Sequence, residues 1–344
     1  MEKKQALNDL LTSLTGYRAE DRMRIFSYFK TLDYEVKDEN YFAYLRVAYS
    51  YIPMKLTDLS ENDIEKDPNL IIGLFMAIAT ELEEVPLPRR IDIMDYVSNF
   101  VQKRSPRNAI NDNTLIYDFS LDFEEEVYKM LSGTSVPLTK QIYPYATIYL
   151  VYGDLLHEYG DYISAMGMYA RANSWNPVSP LIISRACDYF ANIKDSQQLL
   201  QVANLMLKVS YTPHHIAEAM QYLGYGFFLE GEYEKAYAFY YVSLKYDDTS
   251  KEGLNEQISA TLTALKVKEP YKVTKKMINE LFIGSAFVPK VNHRLFQTLR
   301  RYIIDNYIKE DYIEVLEYGA YYSLVYPSDT KIKNIITKSQ NQLI

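Results

Sequence analysis

The chain has 344 residues, 48% of them hydrophobic, with only 12 glycines and 13 prolines. That composition can fill a large core, argues against a Gly/Pro-punctuated β-sandwich, and leaves either two domains or one long solenoid. The net charge of −8 is uneven, with 17 basic against 24 acidic groups over residues 1–140, 9 against 14 over 141–270, and 11 against 7 over 271–344. An acidic bulk repels phosphates, so no general nucleic-acid partner is expected.

The single cysteine, Cys187, cannot form an intrachain disulfide, and a reducing cytoplasmic location is the expectation. MEKKQALNDLLTS lacks the apolar stretch of a signal peptide. The longest apolar run, Leu70 to Ala79, is shorter than the roughly 20 residues a bilayer needs, so no membrane partner is expected. Tyrosine is abundant at 34 residues. Its ring buries while its hydroxyl reaches water, which suits helix pairs beside a wet groove, although a tyrosine-rich core explains the count as well.

In chain order, residues 1–35 read as two helices broken at Thr15-Gly16, and Asp38 to Tyr51 as a third that stops before Pro53. Residues 55–67 are a polar connection, and Pro68-Asn69 starts a helix over Leu70 to Glu84. Pro86-Leu87-Pro88 precedes a helix over Arg89 to Lys103. Residues 105–113 read as loop, Thr114 to Ser120 as an irregular connector, and Leu121 to Leu131 as a helix. Ser132 to Pro137 is the best domain boundary.

Beyond it the sequence repeats. Tyr149-x2-Tyr152-Gly153-x2-Leu156 matches Met220-x2-Leu223-Gly224-x2-Phe227, and Ala165-x3-Tyr169 matches Ala236-x3-Tyr240. The turns Gly160-Asp161-Tyr162 and Gly231-Glu232-Tyr233 stand in equivalent places. Small residues such as Gly224 and Ala236 mark where two helices touch. A degenerate copy fits residues 180–213, with Cys187 in the glycine place. A last copy runs from Leu299 through Asp311-Tyr312 to Pro327. Residues 251–287 form an enlarged, atypical pair split at Glu269-Pro270, and Thr330 to Leu343 a polar capping helix.

This pattern resembles the tetratricopeptide repeat, a helix–turn–helix unit of about 34 residues. The resemblance implies an all-α chain with an N-terminal helical domain (1–136), a right-handed α-solenoid (137–329) and a C-terminal cap (330–344). It further implies that the first helix of each repeat lines a concave groove. By place, the groove-facing candidates are Leu150, Asp154, His157 and Glu158, then Gln221, Tyr225, Phe228 and Leu229, then Arg300, Ile304, Tyr307 and Ile308. Some relatives clamp a carboxylate with Lys and Asn at these places. Leu150, Asp154, Gln221 and Tyr225 depart from that pattern, which disfavours chaperone-tail binding. Phe228 and Leu229 read either as an anchor for a peptide or as packing against a neighbouring turn.

Motifs for phosphate, dinucleotide, zinc-protease or serine-hydrolase chemistry are missing from the sequence. No catalytic residue, metal ligand or cofactor is therefore assigned. His214-His215 diverge by about 100° on a helix and read as a helix start after Pro213. His157 reads as a residue favoured by a helix C-terminus, Cys187 as a buried small hydrophobe, and Glu124-Glu125-Glu126 as a solvated face. Arg300-Arg301 reads as helix surface, or as a docking patch for an acidic partner that could be the chain's own N-terminal half.

The functional expectation is a scaffold that binds a protein or peptide segment in its groove. The alternatives are an intracellular regulator whose N-terminal domain the repeats control, and an enzyme with an N-terminal site. Oligomeric state is left open.

Overall fold

The computed structural model describes residues 87–103, 105–109, 116–134, 143–246 and 251–343, and the helices expected before residue 87 lie outside this set. Every regular element among the described residues is helical. In chain order they are α1 (Leu87–Lys103), α2 (Asp122–Ser132), α3 (Tyr145–Tyr159), α4 (Tyr162–Trp175), α5 (Pro180–Asn192), α6 (Ser196–Val209) and α7 (Pro213–Leu229). They continue with α8 (Tyr233–Ser243), α9 (Lys251–Ala264), α10 (Lys275–Leu281), α11 (His293–Ile308), α12 (Tyr312–Val325) and α13 (Thr330–Leu343). No helix among the described residues is long and apolar enough to cross a membrane.

The chain divides into two compact units, one of residues 1–116 and 140–168, the other of 117–139 and 169–344. In the first unit α1 packs on α3. Met94, Val97 and Val101, at i, i+3 and i+7, are buried. The Tyr152 hydroxyl donates to Asp95 Oδ1 at 3.1 Å.

In the second unit, helices from α5 to α9 pack on their neighbours in sequence order, and α5 also meets α7. A second run, α11, α12 and α13, packs the same way, so the all-α, solenoid-like stacking of consecutive helices holds. The two runs meet where Asn292 Nδ2 donates to the Lys208 carbonyl at 2.8 Å. Rings of Tyr211 and Tyr318 lie 5.9 Å apart at the same junction.

One closure recurs at each helix–turn–helix. A residue in the left-handed region is followed by one whose amide donates back to a carbonyl five residues earlier, which satisfies a helix-end acceptor. The pairs are Asp161 to Leu156, Asp195 to Phe190, Glu232 to Phe227, Val267 to Leu262 and Asp311 to Asn306, all at 2.9–3.0 Å. Glycine takes the left-handed place at Gly160 (φ 91°) and Gly231 (φ 77°), where it fits without a Cβ clash. Lys194, Lys266 and Glu310 take it elsewhere, at φ 57°, 58° and 64°. These three turns therefore close in the same way without a glycine.

Gly224 earns its place differently. A Cβ there would stand 2.5 Å from Tyr240 Cε1, so only glycine lets α7 and α8 approach this closely. Gly226, which the repeat pattern does not single out, does the same toward α6, where a Cβ would meet Leu200 Cγ at 2.7 Å.

Candidate functional site

Helix α7 begins at Pro213, whose missing N–H costs nothing there. Thr212 caps it, its hydroxyl accepting from the His215 amide at 3.3 Å. The His215 ring lies 2.9 Å from the same hydroxyl, and burial holds it neutral, its pKa pulled down to about 4. Two close glycine contacts bury opposite sides of α7, against α6 and α8. Beyond the first turn, what stays half-buried is one stripe at i, i+3, i+4, i+7, i+10 and i+11: Glu218, Gln221, Tyr222, Tyr225, Phe228 and Leu229. All four groove candidates named on this helix fall on the stripe.

Neighbouring α5 extends the face with Arg185 and Asp188. The Tyr222 hydroxyl donates to Asp188 Oδ1 and lies 3.4 Å from Glu218 Oε1. One phenolic hydrogen thus stands between two carboxylates. Burial, then the Asp188 and Glu218 charges, push the Tyr222 phenol far up, so it remains a donor. Burial also raises Glu218, partly offset by the charge of His214. Arg185 Nη1 sits 3.9 Å from Asp188. Further along, the Tyr225 and Phe228 rings stack with centroids 6.4 Å apart, and Phe228 meets Tyr233 of its own turn edge-on at 5.4 Å. The face therefore joins an acidic, hydrogen-bonding end to an aromatic end. Cys187 lies buried beside it, and desolvation pushes its thiol well up, so it packs as a small apolar group.

The candidates on α3 belong to the first unit. Leu150 is buried, Asp154 and His157 are half-buried, and exposed Glu158 lies 3.8 Å from Arg90 of α1. The His157 ring meets Tyr162 edge-on at 5.0 Å. On α11, Arg300 Nε donates to Asp329 Oδ2 at 2.7 Å, and the Tyr322 hydroxyl donates to the same oxygen at 3.0 Å. Asp329 in turn caps α13 by accepting from Lys331 and Ile332 amides. Ile304 is half-buried against the core, Tyr307 contacts Tyr312, and Ile308 is exposed. No three His, Cys, Asp or Glu side chains converge to hold a metal among the described residues.

The acidic run on α2 is not the solvated face its composition suggests. Glu124 is buried, accepting at Oε2 from the Ser120 and Leu121 amides (2.9 and 3.2 Å) and from Asn176 Nδ2 (2.8 Å). Burial raises its carboxyl, and those donors oppose the rise. Phe123, Val127 and Met130, at i, i+4 and i+7, are buried beside it. The Phe123 ring sits among Tyr211, Tyr302 and Tyr318 at 4.8, 5.1 and 5.4 Å. Helix α2 packs on α11, and Glu126 faces Arg301 at 3.9 Å. The apolar spacing of α2 is visible in the sequence. Its address, some 180 residues downstream, is not.

A comparison with protein-family models finds no match, and a comparison with curated proteins finds none either.

Proposed function

We propose that this chain is a protein-interaction scaffold that binds an extended or helical segment of a partner on the α5–α7 face, by a tetratricopeptide-like use of its helical hairpins. The observation that carries the reading is the single half-buried stripe on a helix whose other residues from Ile216 to Phe227 are buried. Flat aromatic rings at one end offer apolar area at low entropic cost. The carboxylates at the other end suit donors or cationic side chains. Binding rather than catalysis is the role that such a face supports, and a reducing cytoplasmic setting is part of the proposal.

A random-peptide display library panned on the full chain tests it. Selected peptides are expected to lose at least about tenfold in affinity on a Tyr225→Ala/Phe228→Ala variant, as truncation of central aromatic anchors does. Peptides that bind both chains equally, or a failure to enrich any, would refute it.

A further inference from the structure

Helix α2 differs from every other helix of the second unit in how the chain delivers it. Residues up to 116 and from 140 to 168 cluster with the first unit, so the segment 117–139 contributes one helix to the second and departs. Its seat is assembled from parts far apart in sequence. Asn176 comes from the α4–α5 connection, Tyr211 from the α6–α7 connection, Tyr302 and Arg301 from α11, and Tyr318 from α12. Stacking within each run, α5 to α9 and α11 to α13, proceeds through contacts that do not involve α2, which lies where the runs meet, with Phe123 on Tyr211 of one and on Tyr302 and Tyr318 of the other.

We infer that α2 is a tethered ligand in a helix-binding seat, an autoinhibitory contact that an acidic amphipathic helix of a partner displaces. This rests on reading the second unit as a receptor for polypeptide segments, and adds an address and a chemistry. The seat specifies its occupant residue by residue: an aromatic for the tyrosine-lined pocket, a Glu next to it for Asn176, apolar side chains four and seven places on, and an acid three places on for Arg301. A buried carboxylate makes the docking self-limiting, because leaving water costs Glu124 part of what its donors return. An 11-residue helix does not hold itself together in isolation, so release unwinds it. Tethering gives α2 an effective concentration on the order of millimolar, and a competitor must overcome that factor.

The probe is a fluorescein-labelled peptide of residues 117–134, added to the full chain. A Phe123→Ala/Val127→Ala chain has lost its own occupant, and it is expected to bind the peptide at least about tenfold more tightly than the unaltered chain. A peptide carrying Phe123→Ala is expected to bind neither, and one carrying Glu126→Lys to bind weakly, facing Arg301. A folded double variant that ignores the peptide overturns the inference. Should the variant unfold, hydrogen exchange in the unaltered chain decides. The α2 amides after Glu125 are expected to exchange at least about 100-fold faster than those of α7, through a local opening. Exchange of both only on global unfolding overturns the inference. Either failure leaves the α5–α7 reading intact, because peptides selected on that face report through Tyr225 and Phe228.

Discussion

Removing one oxygen atom should make this protein more stable. Tyr240 is fully buried, and its hydroxyl has no hydrogen-bond partner among the described residues. Its ring lies against Gly224, in the closest approach of α7 to α8. Leaving a buried hydroxyl unsatisfied costs about 1–3 kcal/mol, whereas the ring's apolar contacts survive a change to phenylalanine. Tyr240→Phe is therefore expected to gain about 1 kcal/mol, or roughly 2–4 °C in melting temperature for a unit of this size. Urea unfolding followed by far-ultraviolet circular dichroism measures it, with an unchanged slope against denaturant. Burial pushes this phenol far up, so it stays protonated. The gain should therefore be the same from about pH 5 to about pH 9. A loss of stability on Tyr240→Phe would mean that the hydroxyl has a partner, and would refute the reasoning. Gly224→Ala is the companion, where the added methyl has nowhere to go and overpacking should cost about 1–3 kcal/mol.

Other expectations concern the turns and the charged contacts. A Cβ at Gly231 would meet nothing within 4 Å, so Gly231→Ala isolates the backbone cost of a left-handed residue, about 1 kcal/mol after the entropy gain of alanine. Lys194→Gly should run the other way, gaining up to about 1 kcal/mol in the same unfolding assay. Glu124→Ala, which strands the Ser120 and Leu121 amides and Asn176, should cost more than about 3 kcal/mol. Because the Glu124 carboxyl is raised in the fold, its contribution is fully present below its unfolded value and is lost as pH rises through the folded one. Glu124→Gln should flatten that part of the stability–pH curve. Asp329 has the opposite sign. The Arg300 hydrogen bond holds its carboxyl down at about 2, so its contribution is present above the ordinary aspartate range and is lost as pH falls toward 2. Asp329→Asn should remove that acid-side loss; asparagine caps a helix as well as aspartate, so near neutrality only the partly exposed Arg300 pair is lost, at a cost of about 0–1 kcal/mol.

The hairpins were legible because their signals are local. Gly160 and Gly231 announce turns, Pro213 precedes a helix start, and Gly224 with Ala236 marks a contact between adjacent elements. The hairpin of residues 180–213 was legible from its apolar faces even without a turn glycine, since Lys194 accepts the left-handed conformation and Asp195 caps the next helix. The stripe on α7 could be placed by repeat register, down to Gln221, Tyr225, Phe228 and Leu229. Arg300 could not, because its partner, Asp329, lies one helix beyond and no local rule pairs them. Glu124 misled for a related reason. Three consecutive glutamates look solvated, yet a helix turns each about 100° from the last, and only tertiary contacts decide which one faces inward.

The recurring turn closure also divides the labour of change along the second unit. Its short return bonds fix the length of every hairpin bend, glycine or not. The links on the opposite side carry no such constraint: three residues join α6 to α7, while 282–292 joins α10 to α11. Insertions and fused sequences therefore belong at exposed Ile283-Gly284, ahead of Phe287, whose ring meets Phe227 of α7, and of buried Pro289.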